Sequence, residues 1–290
     1  MKKLILILAV MVASPAFAWQ NPQPNPGSLT AGTVTVSPTV QAAIPQGYLG
    51  LDYVKNKLNA PARFFSGANA RTVADFKDLG PGTLRLATQD TEIWTPGGAG
   101  QVANQIAPSD IQALAAFLQA TGWKCTYGIN YLTQSSSVSV AEALYVSQQL
   151  GSSLVGFEIG NEPDGPAYGG VTPAAFASAW RTIALAIRNS VPAAKFVGPS
   201  TGVASSAGTW SSAMMATNSD LVYWDSAHFY LDGPSTATMT EILGFSATGD
   251  SYFNSEASGI QSVQATYPQP GVTNETSDVD SGGKDGVSDT

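Results

Sequence analysis

The sequence predicts an α/β protein, a (β/α)8-type barrel that is incomplete at its C-terminal end. Strand and helix signals alternate along the chain about seven times in succession. Strands separated by helices of about ten to twenty residues need parallel, right-handed crossovers, and so many successive units favour a barrel over an open sheet. The chain has 290 residues, a size that α/β barrels commonly reach as one domain.

Seven apolar runs of strand length account for the predicted sheet. The clearest, at 154–159, reads Leu-Val-Gly-Phe-Glu-Ile and ends in a loop that contains proline. The predicted strands are 48–54, 83–86, 124–129, 154–159, 195–197, 221–230 and 271–275.

Helix start and stop residues separate these strands. Thr172 and Pro173 open the clearest helix, with Thr172 as the N-cap and Pro173 at the first helical position. Ser109 is the predicted N-cap of an earlier helix, which Gly122 follows. The predicted helices are 70–79, 110–121, 140–150, 173–189, 211–218 and 255–267.

The count of strands stops at seven. The segment 282–290 reads as a loop that leads into a further element. Because a closed barrel of this type needs an eighth strand and helix, we expect that unit to be missing from this chain.

The first 18 residues are typical of a secretory signal peptide. Lys2 and Lys3 provide the positive start, residues 4–12 the apolar stretch, and Ala16-Phe17-Ala18 an A-x-A cleavage site. The apolar stretch is too short to span a bilayer. We therefore predict bacterial export, to a secreted or periplasmic location. A Pro/Asn-rich linker at 19–35 precedes the predicted barrel domain at 36–290.

Charge and composition exclude several classes of protein. Removing Lys2 and Lys3 from the 13 basic residues leaves 11 against 21 acidic residues, a net charge of −10. Such a surface repels nucleic acid and anionic membranes. Cys125 and His228 are the single cysteine and histidine, which excludes an intrachain disulfide and argues against a zinc or copper site. We expect no nucleic-acid partner, no membrane span and no cofactor, with carboxylates as the catalytic groups.

The most informative segment is Gly160-Asn161-Glu162-Pro163, directly after the strand at 154–159. Pro163 ends the strand, so Asn161 and Glu162 lie side by side at its carboxyl end, which is the catalytic end of an α/β barrel. A carboxylic acid beside an amide suits protonation of a leaving group next to a sugar hydroxyl. The alternative is a strand-to-loop turn whose polar residues only cap backbone groups.

Glu275 is the second candidate carboxylate, at the end of the seventh strand as Glu162 is at the end of the fourth. In a closed barrel these two ends face each other across the mouth. A carboxyl separation of roughly 5 Å would make Glu275 the nucleophile and Glu162 the acid/base of a retaining glycosidase. The alternative is that Glu275 is a solvated acid in a loop rich in Ser, Asp and Gly.

Three further polar residues join Asn161 as predicted substrate ligands. His228 and Tyr230 alternate with apolar residues, so both point the same way at the end of the sixth strand, beside the seventh. The Tyr230 hydroxyl would donate to the Glu275 carboxylate. Asn130, after the third strand, would bind a sugar hydroxyl. The alternatives are a histidine and a tyrosine that bond to backbone at the edge of the core, and an asparagine that only forms a turn.

The residues 157–164, Phe-Glu-Ile-Gly-Asn-Glu-Pro-Asp, resemble the acid/base motif of glycoside hydrolase family 79, the β-glucuronidase and heparanase group of clan A retaining glycosidases. Further segments resemble the second strand, the sixth strand and the nucleophile segment of that family in the same order, at 80–86, 228–233 and 275–290. The resemblance covers about residues 44–290. It implies that Glu162 is the acid/base, Glu275 the nucleophile, Asn161 a ligand for the sugar 2-hydroxyl and Tyr230 a partner of the nucleophile.

The chain departs from the family pattern at several points. Ala87-Thr88-Gln89 stands where the family has two glycines and a small polar residue, and Thr276-Ser277-Asp278 where it has Thr-Asn-Ser. Asp280 replaces an aromatic residue near the sugar carboxylate, and an acid there would repel a glucuronate. The family's eighth strand and C-terminal β-sandwich are also expected to be missing.

These observations favour a secreted retaining β-glycosidase that hydrolyses O-glycosidic bonds in a glycoside, an oligosaccharide or a polysaccharide, with β-glucuronidase as the specific candidate. The alternative is a truncated barrel fragment that is inactive or only binds carbohydrate.

Overall fold

A parallel sheet of seven strands forms the centre of the structure, a computed structural model that describes residues 49–59, 63–202, 206–228, 258–259, 262–263 and 265–267, and the backbone of 274–277. In spatial order its strands are β1 (Gly50–Val54), β2 (Thr83–Ala87), β5 (Lys124–Ile129), β6 (Leu154–Ile159), β7 (Phe196–Thr201), β8 (Val222–His228) and β9 (Asn274–Ser277). Two short strands, β3 (Ile93–Trp94) and β4 (Gln105–Ile106), form a separate sheet.

Every neighbouring pair in the main sheet is parallel, and the spatial order is also the chain order. Each new strand is therefore added at the same edge, which is the winding of a (β/α)8-type barrel. The predicted fold class, a partial barrel of this type, is confirmed.

Helices separate the strands as the sequence predicted. They are α1 (Ala70–Leu79), α2 (Pro108–Thr121), α3 (Ser136–Leu150), α4 (Pro173–Ser190) and α5 (Ala207–Asn218), and each packs against the next. The Thr172 side chain accepts the Ala175 N–H at 3.3 Å, which confirms the predicted N-cap of α4.

The predicted N-cap of α2 is wrong. The helix begins at Pro108 with Ala107 as its N-cap residue, not at Ser109. The Asp110 carboxylate reaches back to accept the backbone N–H groups of Ala107 at 3.0 Å and Gln101 at 3.1 Å. An acid at the third helical position thus accepts the N–H of the N-cap residue, as the Glu or Gln of a capping box does.

Large aromatic side chains fill the space between the sheet and the helices. Trp123 is fully buried, and its indole N–H donates to the Phe76 carbonyl at 2.9 Å. Trp180 on α4 meets Phe196 of β7 edge to face, with ring centroids 5.6 Å apart. Each such side chain contributes about 1.5–3 kcal/mol through burial, so the sheet is a firm base for the residues at its strand ends.

The separate sheet of β3 and β4 was not predicted. Its strands have two residues each, too short for an alternating pattern to indicate them. The Trp94 N–H donates to the Gln134 side chain at 2.9 Å, which ties this excursion between β2 and α2 to the loop that follows β5.

Several predictions fall outside the described residues. These include the signal peptide at 1–18, the linker at 19–35 and Tyr230. The predicted helix at 255–267 is described only in part, with helical backbone at 258–259, 262–263 and 265–266. Within the described ranges, no helix has the length and apolar character needed to cross a membrane.

Candidate active site

The chain turns sharply where β6 ends. Gly160 has a φ of +79°, and its N–H donates to the Ile129 carbonyl at the end of β5, at 3.0 Å. Glu162 has a φ of +53°, and its N–H donates to the Ser200 carbonyl of β7 at 2.9 Å. A left-handed conformation costs a residue such as glutamate roughly 1–2 kcal/mol. The strands on both sides of β6 therefore impose the position of Glu162.

The Glu162 carboxyl group is bound to His228, at the end of β8. Oε1 lies 3.0 Å from Nδ1 of the imidazole, and Nε2 on the other side of the ring lies 2.9 Å from Nη2 of Arg85. A guanidinium can only donate, so an Nε2 without a proton is the form that fits beside Nη2, whose two hydrogens also serve Glu158 and Asn161. The proton of a neutral imidazole is then on Nδ1. His228 therefore donates to Glu162. The Glu162 side chain is 34% exposed, so a ligand can reach it.

Arg85 of β2 connects most of the remaining groups. Its Nε and Nη2 form a two-point contact with the Glu158 carboxylate, both at 2.9 Å. Nη1 donates to Asp52 at 2.8 Å, and Nη2 also donates to the Asn161 side-chain oxygen at 2.7 Å. Arg85 is only 3% exposed. Such bidentate charge-assisted contacts hold the guanidinium in one orientation, which in turn orients His228 and Asn161.

Sequence reasoning did not select Arg85, Glu158 or Asp52 as site residues. A usable signal was nonetheless present, because Arg85 and Glu158 each interrupt an apolar strand. Charges inside a buried strand must be paired, so one such arginine and one such glutamate on nearby strands predict a contact between them.

Asn161, Glu162 and His228 were predicted as site residues, and the structure brings their side chains together around Arg85. The Asn161 oxygen accepts from Arg85, so its Nδ2 group is the end that can donate to a ligand. Their catalytic and binding roles stay predictions.

Asn130 lies in a different environment. It is 0% exposed, its Nδ2 donates to the Glu92 carbonyl at 2.9 Å and to Thr133 Oγ1 at 2.8 Å, and its oxygen accepts the Thr133 N–H at 2.9 Å. These contacts shape the loop after β5. Binding of a sugar hydroxyl by Asn130 stays a prediction, and its described contacts are those of a turn.

Glu275 lies on β9, where its backbone is paired with Ser226 of the neighbouring strand β8. Ser277 is the register partner of His228. The second candidate carboxylate thus belongs to the strand next to the one that carries His228. The Glu275 side chain and Tyr230 lie outside the described residues.

The loop after β6 is also tied to the end of β7. Asp164 accepts the Gly202 N–H at 2.8 Å and the Ser206 hydroxyl at 2.7 Å. A Cβ atom at Gly202 would lie 2.7 Å from Cδ of Glu162, closer than a real contact allows. The absence of a side chain at Gly202 therefore makes room for the Glu162 carboxyl group.

A buried carboxyl group outside this cluster behaves differently. Asp225 of β8 faces α5, where its Oδ1 accepts the Ser211 hydroxyl at 2.7 Å. Burial raises the pKa of Asp225 to about 7, against the opposing effect of that hydrogen bond.

In the part of the chain that the structure describes, no group of three or more His, Cys, Asp or Glu side chains is arranged to hold a metal ion.

No protein-family model matches the chain, and no curated protein matches it. Solved structures do match. One is a family 51 α-L-arabinofuranosidase from Bifidobacterium longum, with a TM-score of 0.58 and 14% identity over 80% of this chain and 55% of that one. Another is an α-L-arabinofuranosidase from Thermotoga maritima, with a TM-score of 0.53 and 16% identity over 71% and 48% of the two chains.

A third match is a GH39 β-xylosidase from Caulobacter crescentus, with a TM-score of 0.51 and 15% identity over 80% of this chain and 52% of that chain. Identities at this level show a shared fold, which is the (β/α)8-type barrel. The chain spans about half the length of these proteins. Two of them are named as members of families 51 and 39, so membership of this chain in family 79 stays a prediction.

Proposed function

We propose that this protein is a retaining glycoside hydrolase in which Glu162 is the general acid/base and Glu275 the nucleophile. The observation that carries the proposal is the contact of a partly exposed glutamate with Nδ1 of a histidine at the carboxyl end of a barrel strand. In an α/β barrel that end of the sheet is where substrates bind.

The hydrogen bonds around Glu162 suit a group that first donates and then accepts a proton. With His228 donating to Oε1, the acidic proton of a protonated Glu162 is carried by Oε2. That oxygen would give its proton to the glycosidic oxygen as the bond to the leaving group breaks. In the second step the same carboxylate would take a proton from the attacking water.

Asn161 supports the reaction through the sugar. Arg85 binds the side-chain oxygen of Asn161, so Nδ2 is the group that would donate to the sugar hydroxyl next to the reacting carbon. A hydrogen bond to the 2-hydroxyl strengthens as positive charge develops on the sugar in the transition state. Asn161 would therefore contribute more to turnover than to ground-state binding.

Glu275 is proposed as the nucleophile because β9 lies beside β8, the strand that presents His228 to Glu162. A retaining mechanism requires the two carboxyl groups to be about 5–5.5 Å apart, whereas an inverting one requires about 6.5–9.5 Å. Tyr230 would donate to the nucleophile and keep it ionised. The proposed export signal would deliver the enzyme to glycosides outside the cytoplasm, and N-terminal sequencing of protein secreted by a bacterial host tests this.

The proposal extends to the identity of the sugar that is hydrolysed. The resemblance to family 79 favours a β-glucuronide, whereas the similar structures are named as α-L-arabinofuranosidases and a β-xylosidase. Asp280 weighs against glucuronate because two negative charges would repel each other. A panel of nitrophenyl β-glucuronide, β-xyloside and α-L-arabinofuranoside separates these candidates through kcat/KM.

The full chain tests the mechanism with activated aryl glycosides. Glu275→Gln should abolish turnover. Glu162→Ala should retain glycosylation with a good leaving group, and added azide should restore turnover by forming a glycosyl azide. Asp220→Asn, which changes an exposed carboxylate on the outer surface, is the matched control and should leave kcat/KM unchanged. Equal losses in the Glu162 and Glu275 variants, with no effect of azide, would contradict the assigned roles.

A non-catalytic carbohydrate-binding barrel is the second candidate, because β1 and β9 are the two edges of the described sheet. Saturable binding of a sugar that is never hydrolysed, and that depends on Asn161 but not on Glu275, would favour this function.

A further inference from the structure

Three consecutive strand ends of the barrel meet at one carboxylate, Asp90. It follows β2, has a φ of +58° and is 3% exposed. One oxygen accepts the backbone N–H of Tyr131, at the end of β5. The other accepts the hydroxyl of Tyr168, from the 3₁₀ turn Pro166–Tyr168 after β6. Asp90 therefore joins loops that are not neighbours in the sequence.

The connection continues into the candidate active site. The Tyr168 hydroxyl accepts the backbone N–H of Asn161 at 2.8 Å, while it donates its own proton to Asp90. Burial and the nearby charge of Asp90 raise the pKa of Tyr168 further above its usual range, so the hydroxyl keeps its proton. The donors are therefore fixed: the Asn161 N–H donates to the Tyr168 hydroxyl, and that hydroxyl donates to Asp90.

Asp90 is itself held firmly. Its N–H donates to Thr88 Oγ1 at 2.9 Å, and its carbonyl accepts the Thr133 hydroxyl at 2.8 Å. The ring of Tyr168 packs against Tyr131 and Phe176, with centroid distances of 5.5 and 6.1 Å. Because Asp90 and Tyr168 are both held in place, they can fix the position of the Asn161 amide that is bonded to Tyr168.

We infer that Asp90 and Tyr168 are positioning residues, which hold the backbone of Asn161 and thereby set where the Glu162 carboxyl group meets its substrate. This inference rests on the proposed function for its catalytic consequence. Neither residue contacts the Glu162 carboxyl group, so they act through the peptide that precedes it. General acid catalysis depends on placement of the acid to within about 1 Å, and misplacement costs about 100-fold in rate.

The variant Tyr168→Phe removes the hydroxyl and keeps the ring packing. Tyr145→Phe is the matched control, because among the described residues the Tyr145 hydroxyl bonds to Gln112 on the helical surface and its ring likewise packs on an aromatic neighbour, Trp94. Asp90→Asn should give a smaller change in the same direction, since one oxygen remains to accept.

The activity readout is the dependence of kcat/KM on the leaving group across aryl glycosides. Glycosides with poor leaving groups need the acid, so for them Tyr168→Phe should lose about 10- to 100-fold, against less than about threefold for a dinitrophenyl leaving group. A merely structural loss would lower kcat/KM by the same factor for all substrates. A common factor, or no change, would overturn the inference.

Hydrogen exchange of single amides provides a readout that needs no substrate. In Tyr168→Phe the Asn161 amide should exchange at least about tenfold faster, while the Gly160 amide, which is bonded to the Ile129 carbonyl, should keep its rate. An unchanged Asn161 rate would overturn the inference even in an active enzyme. Faster exchange in a protein that hydrolyses no glycoside would support the anchor and refute the proposed function.

Discussion

Two clusters of buried charged side chains in this barrel have similar residue types, but only one of them is bonded to a solvent-exposed carboxyl group. The Lys55 cluster consists of Lys55, Tyr127, Gln134 and Glu142. Lys55 Nζ donates to Glu142 at 2.8 Å and to the Gly128 carbonyl at 2.9 Å, and Tyr127 and Gln134 donate to the same carboxylate at 2.7 and 2.8 Å. Both charged side chains are 0% exposed, so this cluster is closed.

The Arg85 cluster consists of Asp52, Arg85, Glu158, Asn161 and His228. It contains the same kind of buried ion pair, but its bonds lead through His228 to Glu162, which is 34% exposed. A closed cluster can only stabilise the fold. A cluster that ends in a reachable carboxyl group also orients that group, and this difference separates structural from functional buried charge.

Arg85→Lys should produce the largest combined effect. Lysine cannot reproduce the two-point contact with Glu158 or reach His228 and Asn161 together, so kcat/KM should fall by at least about 100-fold. Lysine keeps a positive charge beside Glu158 but leaves some of the buried acceptors of Arg85 without a donor, which should cost about 1–3 kcal/mol of unfolding free energy for each of them. Chemical denaturation and aryl glycoside kinetics measure the two quantities.

The control for this variant is Arg181→Lys, which alters an exposed two-point contact with Asp220 at 2.6 and 3.0 Å. Exposed pairs are worth about 0–1 kcal/mol, and kinetics should not change. Similar effects of the two substitutions would show that burial of Arg85 is not what matters.

Lys55→Met should separate stability from activity. It leaves Glu142 buried without its cation, which should cost about 3–5 kcal/mol, whereas kcat/KM per folded molecule should stay within about twofold of the original. Adding Glu142→Gln removes the unpaired charge and should recover part of the lost stability. A loss of activity as large as that of Arg85→Lys would break the distinction between the two clusters.

Asp225→Asn sharpens the comparison because Asp225 is a buried charge with one hydroxyl partner and an Oδ2 atom that has no hydrogen-bond partner among the described residues. Its pKa is about 7 in the folded protein and ordinarily 3.8. From about pH 4 to 7 the folded state keeps a proton that the unfolded state loses, so the free energy of unfolding falls as pH rises.

Asparagine keeps the bond from Ser211 and cannot ionise. The variant should therefore be more stable by up to about 4 kcal/mol near pH 8 and unchanged near pH 4, as measured by urea denaturation at both values. Asp220→Asn is the control of opposite sign, since Arg181 lowers the pKa of Asp220 and its contribution is lost as pH falls. A gain for Asp225→Asn that is equal at both pH values would contradict this account.

Gly202→Ala should have the smallest effect, because it acts only on Glu162, the exposed carboxyl group to which the Arg85 cluster is bonded through His228. The new methyl group would displace the Glu162 carboxyl group by several tenths of an ångström, so kcat should fall about tenfold, which corresponds to about 1.4 kcal/mol. Gly97→Ala is the control, because a Cβ atom there meets nothing within 4 Å. Full activity of Gly202→Ala would show that the position of Glu162 is not critical.

The sequence alone predicted most of the barrel, because each unit is encoded locally. Helix α1 was predicted with its observed bounds, and the N-cap Thr172 was identified from residue type and position. The prediction failed at Ser109, because the helix begins one residue earlier and the neighbouring Asp110 carboxylate binds the N-cap amide, and it missed β3 and β4, whose pairing leaves almost no local pattern.

The candidate site was predicted in part for the same reason. Asn161 and Glu162 follow a clear strand and a proline, so local pattern placed them at a strand end. His228 was placed beside the seventh strand, but its bond to Glu162 joins residues 66 positions apart. Arg85 and Asp90 were not selected, since the partners of Arg85 come from β1, β6 and β8, and those of Asp90 from the loops after β5 and β6.

The sequence by itself determined that this chain forms successive β/α units with polar residues after the strands, because hydrophobic period, capping residues and proline act over a few positions. Tertiary structure alone decided which of those polar residues meet. Parallel strands bring the carboxyl ends of strands that are far apart in the sequence to one edge of the sheet. Because an unpaired buried charge is costly, the charged side chains buried there are paired. The orientation of Glu162, the tautomer of His228 and the anchoring of Asn161 by Tyr168 all follow from that convergence.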